Sequence, residues 1–127
     1  MKNETIFEKA GKVFPTKEDP ETGLRLSYAD PLNKNAFSTG GKHSLWKTPY
    51  HQVKCFTPDG KGILLNYAEW DTHDKQKTHR LQAILDLTTG NAYNPFPPQY
   101  YILHLSPKFP LAILLRSEKE IIYTCIY

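Results

Sequence analysis

The sequence predicts an all-β protein built from repeated four-stranded antiparallel units, and three observations carry that expectation. Ten prolines and seven glycines interrupt the 127 residues so often that no stretch keeps a helical period for three turns. The β-branched and aromatic residues fall instead in short runs between turn signals. Part of the pattern also recurs. Phe56, Thr57 and Pro58 return as Leu105, Ser106 and Pro107 at an offset of 49 residues, and Ile63, Leu64 and Leu65 return as Ala112, Ile113 and Leu114.

Residues 1–14 hold the one stretch with helical character, Ile6, Phe7, Ala10 and Phe14 lying on one face before Gly11 and Pro15 close it. The D-x-x-T-G run at residues 19–23 repeats at 86–90, so the lead-in over residues 1–49 reads as an outer strand with its turn. The first unit spans 50–98. Residues 52–56 form a strand, 57–62 a tight turn and 63–70 the returning strand, because proline presets one turn dihedral and glycine permits the positive one. Residues 71–78 are a polar loop, 80–86 a third strand, and 91–96 a fourth that its prolines confine to an edge. The second unit spans 99–127. Its third strand aligns residues 81–85 with 123–127 at an offset of 42, which places Tyr127 at the position of Leu85 and shortens the polar loop by seven residues.

Four short strands repeating every ~40–50 residues are the signature of a β-propeller, in which each sheet buries its faces against two neighbours. Closure needs at least four blades, roughly 160 residues. The expected architecture is therefore a partial β-propeller: about two blades with an N-terminal lead-in segment, cut from a longer chain. A severed propeller leaves a blade face uncovered, with Ile113, Leu115, Ile122 and Ile126 on it, which predisposes the chain to self-association.

Composition narrows the function classes. Sixteen Lys and Arg against thirteen Asp and Glu leave a net charge of only +3, without a basic block, so nucleic acid is not an expected partner. The longest apolar run, residues 111–115, is far shorter than the ~20 residues of a membrane helix. Charges at the N-terminus replace the apolar stretch of a secretory signal, and the expected location is cytoplasmic. Cys55 and Cys125 sit inside apolar segments and read as reduced core residues.

Of the five histidines, His73 and His79 flank the polar loop without metal-ligand spacing, and His104 reads as a half-buried strand imidazole. No metal ligand is assigned. The more specific signal is the basic and aromatic stretch of Lys42, His43, Trp46 and Lys47, with Tyr50 and His51 behind it. A loop of this composition suits an acidic sugar: cations pair with uronate carboxylates and an indole face packs on a pyranose ring. The competing reading makes the lysines solvated and Trp46 the cover of a blade edge. No G-x-S-x-G elbow, phosphate loop or paired-carboxylate motif is present, so the catalytic residues are unknown.

The order of G-K-V-F-P at 11–15, D-P-E-T-G-L-R-L at 19–26, Asp30 and Pro31, C-F-T-P-D-G-K-G-I-L-L at 55–65 and L-D-L-T-T-G at 85–90 resembles the beginning of the oligogalacturonate lyase family. That resemblance implies TolB-like propeller repeats in a cytoplasmic, seven-bladed enzyme. Its members split pectin-derived oligogalacturonides by β-elimination with a divalent metal, usually manganese. It also implies histidine and glutamine ligands from later blades, so the chain would bind no cofactor itself and would be inactive alone. The family's paired histidines before the first blade are not matched here, where His43 and His51 stand apart. Two alternatives remain open: a non-enzymatic TolB- or WD40-like module binding a protein or ligand, and a β-protein that closes by oligomerising its blades.

Overall fold

The computed structural model describes residues 4–27, 30–49, 55–71, 78–116 and 121–127. Helix α1 (Ile6–Val13) is followed by β1 (Thr16–Glu18), β2 (Arg25–Ser27), a 3-10 turn (Lys34–Phe37), β3 (His43–Lys47), β4 (Gly62–Trp70), β5 (His79–Asp86), β6 (Ala92–Tyr93), β7 (Tyr100–Leu105), β8 (Leu111–Arg116) and β9 (Ile121–Ile126). Every strand pairing is antiparallel. The described chain is thus predominantly β, in three sheets ordered β1-β2, β3-β4-β5-β6 and β7-β8-β9.

The helix begins at a capping box: Glu8 N donates to Thr5 Oγ1 at 3.2 Å, and Thr5 N donates to the Glu8 carboxylate at 2.7 Å. It stops where Phe14 N donates to Ala10 O and Pro15 ends the run. The two D-x-x-T-G turns are built alike. Asp19 N donates to Leu24 O at 2.8 Å and Asp86 N to Asn91 O at 2.9 Å, while Gly23 N and Gly90 N each return to the Asp carbonyl at 2.8 Å. The glycines take φ of 72° and 79°, a region that side chains with a Cβ enter at a cost. Among the described residues, the strands flanking the first of these turns do not join a larger sheet as an outer strand; β1 and β2 pair with each other.

In the second sheet, residues 52–54 of the expected first strand (52–56) lie outside the described residues, and its described end stands beside Ile63 as the expected hairpin requires. The partner of β4 at its far end is β3, whose Lys47 lies opposite Asn66 and His43 opposite Trp70. Phe56 makes a single bridge to Ile63, with Leu64 N donating to Cys55 O; residues 50–54 lie outside the described residues. The third and fourth strands stand where expected, as β5 and the two-residue edge strand β6. Most of the polar loop, residues 72–77, also lies outside the description.

In the third sheet, β8 and β9 repeat β4 and β5 with one change of register. Thr57 N donates to Gly62 O at 2.9 Å, and Ser106 N to Leu111 O at 2.8 Å, which is the offset of 49. Leu87 N donates to Lys61 O at 2.7 Å, and Tyr127 N to Pro110 O at 3.0 Å, so the third strands are offset by 40 rather than 42. Ile63 opposite Leu85 accordingly becomes Ala112 opposite Cys125. Tyr127 is the counterpart of Leu87, and Ile126 stands where the first unit has its turn-forming Asp86.

Strand alternation gives the second sheet two apolar faces. Leu64 and Ile84 pack with Ile102, Leu105, Ala112 and Leu114 of the third sheet, with Phe96 at the margin and Cys55 and Cys125, both free thiols, half-buried beside them. Leu65, Leu85 and Leu87 pack on the opposite side with Phe14 and with Ile6, Ala10 and Val13 of α1. The layers therefore run helix, sheet, sheet.

Two carboxamides close strand edges along this stack. Asn33 reaches the open edge of β6, donating from Nδ2 to Ala92 O and accepting from Ala92 N, each at 2.8 Å. Gln82 does the same for β7 across the sheet-to-sheet seam: Nε2 donates to Ile102 O at 2.9 Å and Oε1 accepts from Ile102 N at 2.6 Å. Each amide thus offers an edge residue the donor and acceptor that a neighbouring strand would supply.

Candidate functional site

The basic, aromatic stretch is a strand rather than a loop, and that separates its members. Successive side chains of a strand point to opposite faces, so His43 and Lys47 share one face of β3 while Trp46 points to the other. Trp46 lies over Tyr67 with ring centroids 4.6 Å apart and meets the edge of Phe37 at 5.3 Å. It is half-buried against the core beneath α1. His43 stacks on its cross-strand partner Trp70 at 5.8 Å, and the backbone N–H of Lys42 is held by Asp71. Lys42, His43, Trp46 and Lys47 therefore present no common surface.

Behind Trp46 lies a carboxylate that the sequence did not single out. Glu69 is 2 % exposed. It accepts a short hydrogen bond from Tyr67 Oη, bonds from Thr39 N at 2.9 Å and Thr39 Oγ1 at 2.8 Å, and one from Gly41 N at 2.5 Å. A Cβ on Gly41 would come within 2.5 Å of Glu69 Cγ, so the approach requires glycine. The Tyr67 hydroxyl and the Gly41 N–H hold the Glu69 pKa down to about 2, against the opposing effect of burial. Burial first, and then Glu69, push the Tyr67 phenol up. A carboxylate so fully bonded is a poor proton acceptor; its work is to fasten residues 39–41 to the sheet.

Among the described residues, cations and aromatics converge at the seam between the second and third sheets. A cleft of about 270 Å³ is lined there by Lys47, Asn66, Arg80 and Tyr101, floored by Tyr67, Ala68 and Leu81. Pairing explains the grouping, since Lys47 faces Asn66 and Ala68 faces Arg80. Arg80, Leu81 and Tyr101 also line a neighbouring depression of about 620 Å³ that continues past Gln82 and Asn94 toward Phe96 and Tyr100. Two cations beside a carboxamide can grip an oxyanion, and the phenol ring adds a flat apolar surface. Of these residues the sequence pointed only to Lys47, because Arg80 and Tyr101 reach the seam through pairings far apart in the chain.

The remaining histidines divide. His79 is half-buried at the start of β5 with its ring 6.4 Å from Tyr67. His104, expected half-buried, is exposed on β7 opposite Ile113, next to the register shift between Ile102 and His104. His51 and His73 lie outside the described residues. Among the described residues no group of three or more His, Cys, Asp or Glu side chains could hold a metal ion, so the divalent cation implied by the resemblance finds no donor set in them, and no chemical step is derived through it. Among the same residues, no helix is long and apolar enough to cross a membrane. Compared with family models, curated proteins and solved structures, the chain matches none.

Proposed function

We propose that the chain is a two-blade portion of a TolB-like propeller of the oligogalacturonate lyase kind, catalytically incomplete in this form, cytoplasmic, and serving to bind an acidic oligosaccharide at the seam between its sheets. The observation that carries the reading is the convergence of Lys47, Arg80, Asn66 and Tyr101 on one cleft. Uronate carboxylates pair with the two cations, the Asn66 carboxamide reaches sugar hydroxyls, and a pyranose ring lies against Tyr101. The propeller part is supported by the repeated turn chemistry and by two sheets stacked through successive faces. The β-elimination of the resembled family needs a base and a divalent cation, and in this reading both come from blades beyond these two.

Titration calorimetry with digalacturonate at low ionic strength tests the binding. The expected result is a Kd in the millimolar range that weakens several-fold as salt rises, is lost in Lys47→Ala with Arg80→Ala, and is absent for the methyl-esterified sugar. The chain should produce no ultraviolet absorbance from unsaturated product, with or without manganese. Equal binding of the esterified sugar, or elimination by the purified chain, would overturn the reading.

A further inference from the structure

The two large sheets meet through unlike faces. In the register set by the turn hydrogen bonds, Leu64 of β4 corresponds to Ile113 of β8 and Ile84 of β5 to Thr124 of β9, whereas Ala112 and Leu114 correspond to Ile63 and Leu65. Leu64 and Ile84, both 0 % exposed, pack against Ala112 and Leu114. The second sheet thus offers its Leu64-type face, and the third sheet answers with its Leu65-type face. Such a contact is head-to-tail and leaves one face of each kind unused by sheet packing.

The two leftover faces differ in their cover. On the second sheet, the Leu65-type face carries Leu65, Leu85 and Leu87 and is closed by α1 and Phe14. On the third sheet, the Leu64-type face is bare: Ile113 is 40 % exposed, Ile122 63 % and Ile126 76 %, with Leu115 opposite Ile122. The bare face is the structural counterpart of the Leu64 face, which inside this chain is covered by a sheet. The helix is the weaker cover, because eight residues with Gly11 among them are marginal as a helix on their own.

We propose that the Ile113, Ile122 and Ile126 face binds a second copy of this chain, on that copy's Leu65 and Leu85 face, and that α1 is a removable stopper which must leave for the contact to form. The contact repeats the one between the two sheets, and its growth stops wherever α1 stays in place. It does not depend on what the seam between the sheets binds.

Sedimentation velocity over about 1–500 µM tests this. The expected result is concentration-dependent association that persists in high salt and is abolished by Ile122→Lys or Ile126→Lys, both exposed positions where folding is checked by circular dichroism. Gly11→Ala supplies the second readout. A Cβ there meets nothing within 4 Å, and the better helix former tightens the stopper. Association should weaken about fivefold, the ratio equivalent to the ~0.9 kcal/mol propensity difference. A chain that stays monomeric throughout, or association indifferent to the lysine variants, would overturn the proposal. Association lost in the lysine variants but unmoved by Gly11→Ala would also overturn it, by showing that the helix is not displaced.

Discussion

Replacing Gln82 by methionine removes the amide that joins the two large sheets, together with its 3.2 Å hydrogen bond to Asn66 Oδ1. Gln82 is 5 % exposed and Ile102, whose N–H and C=O it satisfies, is 1 % exposed, so neither backbone group has ready access to water once the amide is gone. Methionine fills nearly the same volume, and a volume-conserving swap alone costs under about 1.5 kcal/mol. Each buried backbone group left without a partner costs about 1–3 kcal/mol, so with two such groups Gln82→Met should lose about 2–6 kcal/mol of unfolding free energy in urea. That is a large share of the ~5–15 kcal/mol typical of a domain. Gln82→Glu should cost at least as much as methionine at neutral pH, since an ionised carboxylate buried there faces Ile102 O without a donor, and should recover toward wild type in acid, where the protonated carboxyl can again donate. Hydrogen exchange provides a local readout: the Ile102 amide should lose protection in the methionine variant. A loss below about 1 kcal/mol with Ile102 protection unchanged would refute the reasoning, because it would place the sheet-to-sheet coupling in apolar packing alone.

Three further outcomes follow from single side chains. Ile84→Ala empties a fully buried site and should cost about 2–5 kcal/mol in urea denaturation, while Ile122→Ala on the bare face should cost under about 1 kcal/mol. The Glu69 carboxylate is depressed from 4.5 to about 2, so its contribution is complete above pH 4.5 and lost as the pH falls toward 2; Glu69→Gln should flatten the stability profile across that window in pH-dependent thermal melts. Trp46→Ala should lower the melting temperature while leaving seam binding of digalacturonate within about twofold, because Trp46 packs on Phe37, Tyr67 and the core of the opposite face rather than at the cleft. Equal loss of binding in Trp46→Ala and Arg80→Ala would return Trp46 to the site.

The parts of this fold legible in the sequence are those made by neighbouring residues. The short helix that stops before Pro15, the paired Asp19 and Asp86 turns and the proline-limited edge strand each depend on residues a few positions apart, so local chemistry decides them. Register is different. Sliding the third strand by two residues keeps every side chain on its own face, so offsets of 40 and 42 satisfy the same apolar alternation, and the strand pairing itself, with its Tyr127 to Pro110 hydrogen bond, separates them. The stretch around Trp46 looked like a loop because it lacks apolar alternation, and it becomes a strand because the far half of β4 offers it a ladder. The candidate site shared that fate: Lys47 was visible by its charge, but Arg80 and Tyr101 join it through β4 and the seam, and Glu69 finds Gly41 and Thr39, two of its three donor residues, 28 and 30 residues away.

The distribution of protected and open surfaces gives the stack a direction. Edge strands invite pairing with other chains, and here the β6 edge at Ala92 and the β7 edge at Ile102 are each met by a side-chain amide that consumes donor and acceptor together. The faces are treated unequally: one is closed by a short helix and the other carries exposed isoleucines. Strand-to-strand addition at those two residues is blocked by satisfied hydrogen bonds, whereas face-to-face stacking is opposed on one side only by α1. The same asymmetry bears on the seam. Lys47 and Arg80 belong to the second sheet and Tyr101 to the third, so the cleft exists only while the sheets are docked, and the Gln82 amide that docks them is a neighbour of the residues proposed to bind. Ligand affinity and sheet docking are therefore linked: a ligand that needs the intact seam stabilises the docked form, and weakening the Gln82 bridge lowers apparent affinity both by loosening the seam and by removing the donor that holds Asn66 at 3.2 Å.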